Sequence, residues 1–243
     1  MAFWKTTLPV NPERRQWIDS SMWRLVRLFG RERIVRAPVV LPNGDFFSDS
    51  YDSSETAVRR VLERVCLYLG VDPDRIEFEI FSDASDSLAD SAPAWGVERG
   101  SGPTGLYSGG WCQSIEVRAS LLSDPVALIA TFAHELCHVL LLGGGLMDPS
   151  EPDMEPFTDL ATVFHGFGVC HANACVRFRQ WDSGARHGWQ GSQLGYLTEE
   201  DYGYALAVFA QMRGDSNPLW AAHLSTNVRS YFKRSARVLS KRS

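Results

Sequence analysis

The chain has 243 residues, 44% hydrophobic and 22% charged, and a net charge of −5. That length and apolar content fill a sizeable core and exclude a disordered or low-complexity protein. The negative balance argues against nucleic acid as a partner.

Asn11 followed by Pro12 predicts the start of a helix that runs to Phe29 and ends at Gly30. Val39 to Leu41 read as a short extended run, and Asp45 to Ser54 as a loop. Asp52 and Glu55 form a capping-box pattern for a helix that stops before Gly70. From Arg75 to Phe81, Ile76, Phe78 and Ile80 alternate with Glu77 and Glu79, the pattern of a half-buried strand. Residues 82–105 are loop-like. Leu106-Tyr107 and Gln113 to Arg118 flank Ser108-Gly109-Gly110 and predict a hairpin. Beyond Asp124-Pro125 the chain reads as mostly helical. Thr198 with Asp201 caps a helix that ends at Gly214, Pro218 begins another, and Asn227 to Leu239 form the last. The expected architecture is one α+β domain over 1–243. A small mixed or antiparallel sheet in 1–124 packs on a helical part, 125–243.

The five cysteines are odd in number, fit no disulfide framework and point to a reducing compartment. Met1 to Lys5 lack the basic start and apolar run of a signal peptide, and no stretch looks long enough to span a membrane, so a cytoplasmic protein is expected. No acidic residue follows Asp215, whereas Arg229, Lys233, Arg234, Arg237, Lys241 and Arg242 do. This is either the solvated face of a final helix or a contact surface for an acidic partner.

The chemistry concentrates in His134-Glu135-Leu136-Cys137-His138, an HExxH sequence. On a helix, side chains four apart share a face, so both imidazoles reach one metal ion. Glu135 is turned by about 100° and sits beside that ion as a general base. Ala127, Ala130 and Thr131 keep the histidine face small, while Leu128, Ile129, Phe132, Leu136, Val139 and Leu140 make the rest of the helix apolar and buried. Catalytic zinc sites keep three protein ligands. Glu155 and Asp159, four apart, supply a carboxylate for the metal and another for a histidine N–H. Pro156 favours a helix that begins there, with Glu155 at its cap. Arg186, His187, Tyr196 and Tyr202 are the candidates for a transition-state stabiliser, with His187 and Tyr196 preferred. His165, roughly opposite Asp159 on its helix, is not expected to be a ligand.

HExxH followed on a second helix by ExxxD resembles the gluzincins, the thermolysin-like zinc metallopeptidases, over residues 114 to 165. The resemblance implies one Zn2+ per chain, Glu155 as third ligand, Asp159 as the residue that orients His134, and Ser114 to Arg118 as a cleft-lining edge strand. More loosely, the chain resembles a group of uncharacterised bacterial proteins that share HELxH, ExxTDL and a later segment, here Gly195-Tyr196-Leu197 and Gly203-Tyr204-Ala205-Leu206-Ala207. The expected function is zinc-dependent hydrolysis of a peptide or protein substrate. The alternatives are a zinc-stabilised binding or regulatory protein, and a metal-free helical core with a chance motif.

Overall fold

The computed structural model describes residues 8–81, 106–107, 110–111, 113–143, 145–182 and 196–241. Helix α1 (Pro12–Phe29) starts as expected, with the Asn11 side chain accepting from Arg14 N at 2.8 Å. At Gly30 the chain turns with φ of 84°, ending α1 as expected, and restarts at once as α2 (Arg31–Arg36), a helix the sequence reading did not predict. Val39 to Leu41 are extended but form no strand; Val40 N instead donates to Gly166 O at 2.9 Å. That approach requires glycine, because a Cβ on Gly166 would lie 2.0 Å from Pro38 O. Helix α3 (Glu55–Leu69) is capped by Ser54, not by Asp52; the Ser54 hydroxyl accepts from Ala57 N, and Asp52 holds that hydroxyl at 2.6 Å.

Among the described residues four strands follow: β1 (Ile76–Phe81), β2 (Leu106–Tyr107), β3 (Gly110–Trp111) and β4 (Gln113–Arg118). The class is α+β, but the sheet is not the expected one. β1 pairs with β4 in parallel, Ile76 opposite Gln113 and Phe81 opposite Arg118. The hairpin is confined to β2 and β3. Alternation of apolar residues identifies a strand and its inner face but not its neighbour. A parallel pair requires a crossover of a dozen or more residues, and the sequence separation of Phe81 and Gln113 allows one.

Helices α4 (Pro125–Leu142), α5 (Met154–Phe164), α6 (Gly168–Asp182), α7 (Glu199–Arg213) and α8 (Thr226–Leu239) complete the chain, with a 3-10 turn at Leu219–His223. Asp124 caps α4 by accepting from Val126 N and Ala127 N. Contrary to the sequence reading, α4 is long and apolar enough to cross a membrane by length and composition. Two thirds of it is buried here, against α3, α5 and α6. The capping box of α7 forms in full, Thr198 Oγ1 accepting from Asp201 N and Asp201 Oδ2 from Thr198 N. α7 and α8 pack tightly along their length. α8 buries Val228, Phe232 and Leu239 and leaves Lys233, Arg234 and Arg237 exposed. Buried apolar residues from Val10 to Leu239 form one continuous core, which includes the side chains of Cys66, Cys137, Cys170 and Cys175.

Candidate metal centre

α4 and α5 lie side by side and bring four of the expected residues together. His134 and His138, one turn apart on α4, are 1% and 2% exposed. Glu155 sits in the first turn of α5 and Asp159 one turn further on. The helix begins at Met154, so Glu155 is helical and not a cap. Pro156 does not force a later start, because N–H groups in a first turn have no intrahelical acceptor to lose. α1 fixes this end of α5. Arg24 forks onto both carboxylate oxygens of Glu151 at 2.7 Å, and Trp17 Nε1–H donates to Asp153 Oδ2 at 2.9 Å.

Three donor atoms converge between the helices. His134 Nε2 and His138 Nε2 are 3.0 Å apart, and Glu155 Oε2 lies 3.2 Å from the first and 3.3 Å from the second. The outer nitrogens are engaged elsewhere. His134 Nδ1 lies 3.0 Å from Asp159 Oδ1, and an ionised carboxylate only accepts, so Nδ1 carries the proton. Thr158 donates its hydroxyl to Met154 O at 2.8 Å and so accepts from His138 Nδ1 at 3.3 Å. Both rings therefore turn Nε2 toward Glu155, the atom that would offer a lone pair to a metal.

Two imidazole nitrogens and a carboxylate that face one point repel unless a proton or a metal cation lies among them. The electrostatics reflect this. Burial opposes a charge on His134, but hydrogen bonds to Asp159 and Glu155 outweigh it and raise its pKa to about 10. Burial likewise opposes the Glu155 carboxylate, yet the two histidines hold it well below the usual range. Asp159, buried but bonded to His134, is also depressed. His134, His138 and Glu155 thus form a buried group able to hold a metal ion.

Comparison with protein-family models, curated proteins and solved structures finds no match. The arrangement of the residues themselves is what bears on function.

Glu135 follows His134 on α4 and is half-buried. Thr131, one turn earlier, is buried, and its hydroxyl has no hydrogen-bond partner among the described residues. Tyr196 enters the site through its backbone, not its phenol. Its N–H donates to Asp159 Oδ2 at 2.7 Å, joined by Leu197 N–H at 3.3 Å, while its side chain is 39% exposed. Arg186 and His187 lie outside the described residues. Tyr202 is no free oxyanion donor, because its hydroxyl meets His171 Nδ1 at 2.6 Å in the core.

His171 is the residue that sequence reasoning missed. It is fully buried on α6, its ring stacks on that of His134 at 6.0 Å and 19°, and its Nε2 lies 3.9 Å from Asp159 Oδ1. Burial lowers its pKa to about 4, so it is neutral. His134, Asp159 and His171 make a second group of metal-type donors, but the His134–Asp159 hydrogen bond already uses the atoms that would bind. No spacing motif connects position 171 to position 134. As expected, His165 stands apart, accepting from Arg33 Nε at 2.9 Å.

Proposed function

We propose that the chain is a zinc-dependent peptidase of the gluzincin type that hydrolyses peptide bonds, with His134, His138 and Glu155 as ligands. The supporting observation is the triangle of donor atoms, with sides of 3.0, 3.2 and 3.3 Å. Tetrahedral zinc with bonds of about 2.0–2.1 Å spaces its ligand atoms by about 3.3–3.4 Å, so these side chains fit it with little movement. Two imidazoles and a carboxylate are also a common donor set of catalytic zinc, which keeps its fourth position open.

The chemistry zinc supplies when bound is Lewis acidity toward a carbonyl and a water whose pKa falls to about 7. The chain's own residues do the rest. Asp159 and Thr158 hold the two rings in the tautomers that ligate. The Glu135 carboxylate takes a proton from water as the water oxygen bonds to the scissile carbon. It then gives that proton to the departing amine nitrogen as the C–N bond breaks.

One observation favours the alternative of a zinc-stabilised binding or regulatory protein. Both histidines are almost wholly buried, which leaves Glu155 and Glu135 as the site members with exposed surface. A single pair of measurements separates the readings. Metal analysis of protein purified without added zinc is expected to give about one zinc per chain. Glu135→Gln is expected to keep that zinc and lose cleavage of a peptide library. A folded, metal-free protein indifferent to zinc rejects the site, and a wild type that holds zinc but cleaves nothing supports the alternative.

A further inference from the structure

We propose that His171 and Tyr202 are positioning residues of the metal centre, Tyr202 fixing the tautomer of His171 and His171 holding Asp159 against His134. The inference rests on the zinc site proposed above and extends it to α6 and α7, which contribute none of its three ligands.

The polar atoms form one line through the core. The Tyr202 hydroxyl is 2.6 Å from His171 Nδ1, His171 Nε2 is 3.9 Å from Asp159 Oδ1, and that oxygen is 3.0 Å from His134 Nδ1. All four side chains are buried, with exposures of 0 to 1%. The direction of the protons follows from the one fixed charge. The Asp159 carboxylate accepts only, so the nitrogen of His171 that faces it is best placed as N–H. Neutral His171 then has its lone pair on Nδ1, and Tyr202 must donate to it. At 3.9 Å the Nε2–H of His171 is beyond a hydrogen bond but within the range of a charge–dipole attraction, strengthened by the absence of water. His134 Nδ1–H donates to the same oxygen. The line ends at His134 Nε2, which faces Glu155 and would offer its lone pair to a bound metal.

The other carboxylate oxygen is held separately by Tyr196 N–H and Leu197 N–H. Asp159 is thus gripped from two directions, by backbone donors at the entry to α7 and by the His171 ring stacked on His134. Without the Tyr202 hydroxyl, the His171 Nδ1 lone pair loses its donor, and the carboxylate alone, at 3.9 Å, weighs against the other tautomer, whose Nε2 lone pair would face it.

The test is Zn2+ affinity of the full chain, read by competition with a chelating indicator, for wild type, Tyr202→Phe, His171→Gln, His171→Leu and Glu155→Ala. His171→Leu is expected to bind Zn2+ about 10- to 100-fold more weakly, the scale of a lost ligand-orienting partner. Tyr202→Phe should fall between it and wild type. His171→Gln, which retains an N–H for Asp159, should recover much of the loss, and packing alone would not produce that order. Unchanged affinity in Tyr202→Phe and His171→Leu, with loss in Glu155→Ala, overturns the inference and leaves the zinc site standing. Equal losses in His171→Gln and His171→Leu overturn it too. A wild type that takes up no Zn2+ overturns the site reading and this inference with it. If His171→Leu does not fold, Tyr202→Phe, which removes a single oxygen, decides alone.

Discussion

Asp159→Asn is nearly isosteric and should nevertheless damage the centre badly. Asp159 is fully buried and accepts from His134 Nδ1 on one oxygen and from Tyr196 N and Leu197 N on the other. Asparagine replaces one of these acceptors by an NH2 donor. If its carbonyl faces the two backbone N–H groups, its NH2 faces His134 Nδ1. That ring must then surrender the Nδ1 proton and carry it on Nε2, where the metal would bind. The reverse orientation leaves two buried backbone donors facing an NH2. A lost hydrogen bond to a charged group costs about 1.5–3 kcal/mol. At 1.4 kcal/mol per factor of ten, the zinc affinity should fall about 10- to 100-fold or more. Asp159→Ala removes the acceptor without adding a wrong donor and should fall less. Chelator competition read beside thermal melts of the metal-free forms separates affinity from folding. Wild-type affinity in Asp159→Asn would refute the assigned tautomer of His134.

Glu155→Ala leaves two imidazoles, and its zinc should be stripped by chelator at concentrations that leave Asp159→Ala partly loaded; the opposite order, followed by atomic absorption, would make Asp159 the ligand. His165 gives a pH test outside the site. Burial, followed by the Arg33 charge, lowers its folded pKa to about 3 from an ordinary 6.5, so between these values the unfolded chain binds the extra proton. This contribution is complete above pH 6.5 and falls as pH drops, by about 1.4 kcal/mol per pH unit. Urea melts between pH 4 and 7 (roughly the window where the states differ) should show a shallower loss in His165→Gln, and equal slopes would contradict the reasoning. Gly203→Ala places a Cβ 2.4 Å from Tyr231 Cβ and 2.9 Å from Phe232 N. The clash is expected to cost about 1–3 kcal/mol of stability in denaturant melts, and an unchanged midpoint would contradict the close approach of α7 to α8.

Much of this site was legible in the sequence, because local rules govern it. Helical periodicity places His134 over His138 and Glu155 over Asp159 wherever those helices lie. Asn11, Asp124 and the Thr198–Asp201 pair marked helix starts through side chains that reach only two or three residues along. Pro156 misled, because proline preference at a first helical position does not exclude a place slightly further in. Cap choice also slipped at Ser54, where the neighbouring Asp52 shares the hydroxyl instead of meeting the helix. The failures of longer range are of one kind. The partner of β4 is chosen by tertiary packing, and nothing within Gln113 to Arg118 encodes it. Nothing in the sequence pairs His171 with Tyr202, which reads only as one of several candidate stabilisers, until α6 and α7 dock behind Asp159. The segment Gly203 to Ala207 gains a physical reading only from the structure. Gly203 allows α7 to lie against α8, and Tyr204 reaches Asp19 on α1 with its hydroxyl at 2.8 Å.

The grip of Tyr196 and Leu197 on Asp159 has a consequence for the order in which the protein matures. The HExxH helix and α5 leave the ribosome well before residues 196–204, and α1 leaves before either. Their ligands can meet early through contacts between near neighbours. The carboxylate that sets His134 is not pinned until α7 arrives and closes back on α1 through Arg14 to Asp201 and Tyr204 to Asp19, links that span nearly the whole chain. Contacts of such separation form late. A nascent chain would therefore carry all three ligands and only a loose grasp on metal, and high-affinity capture would be reserved for a finished molecule.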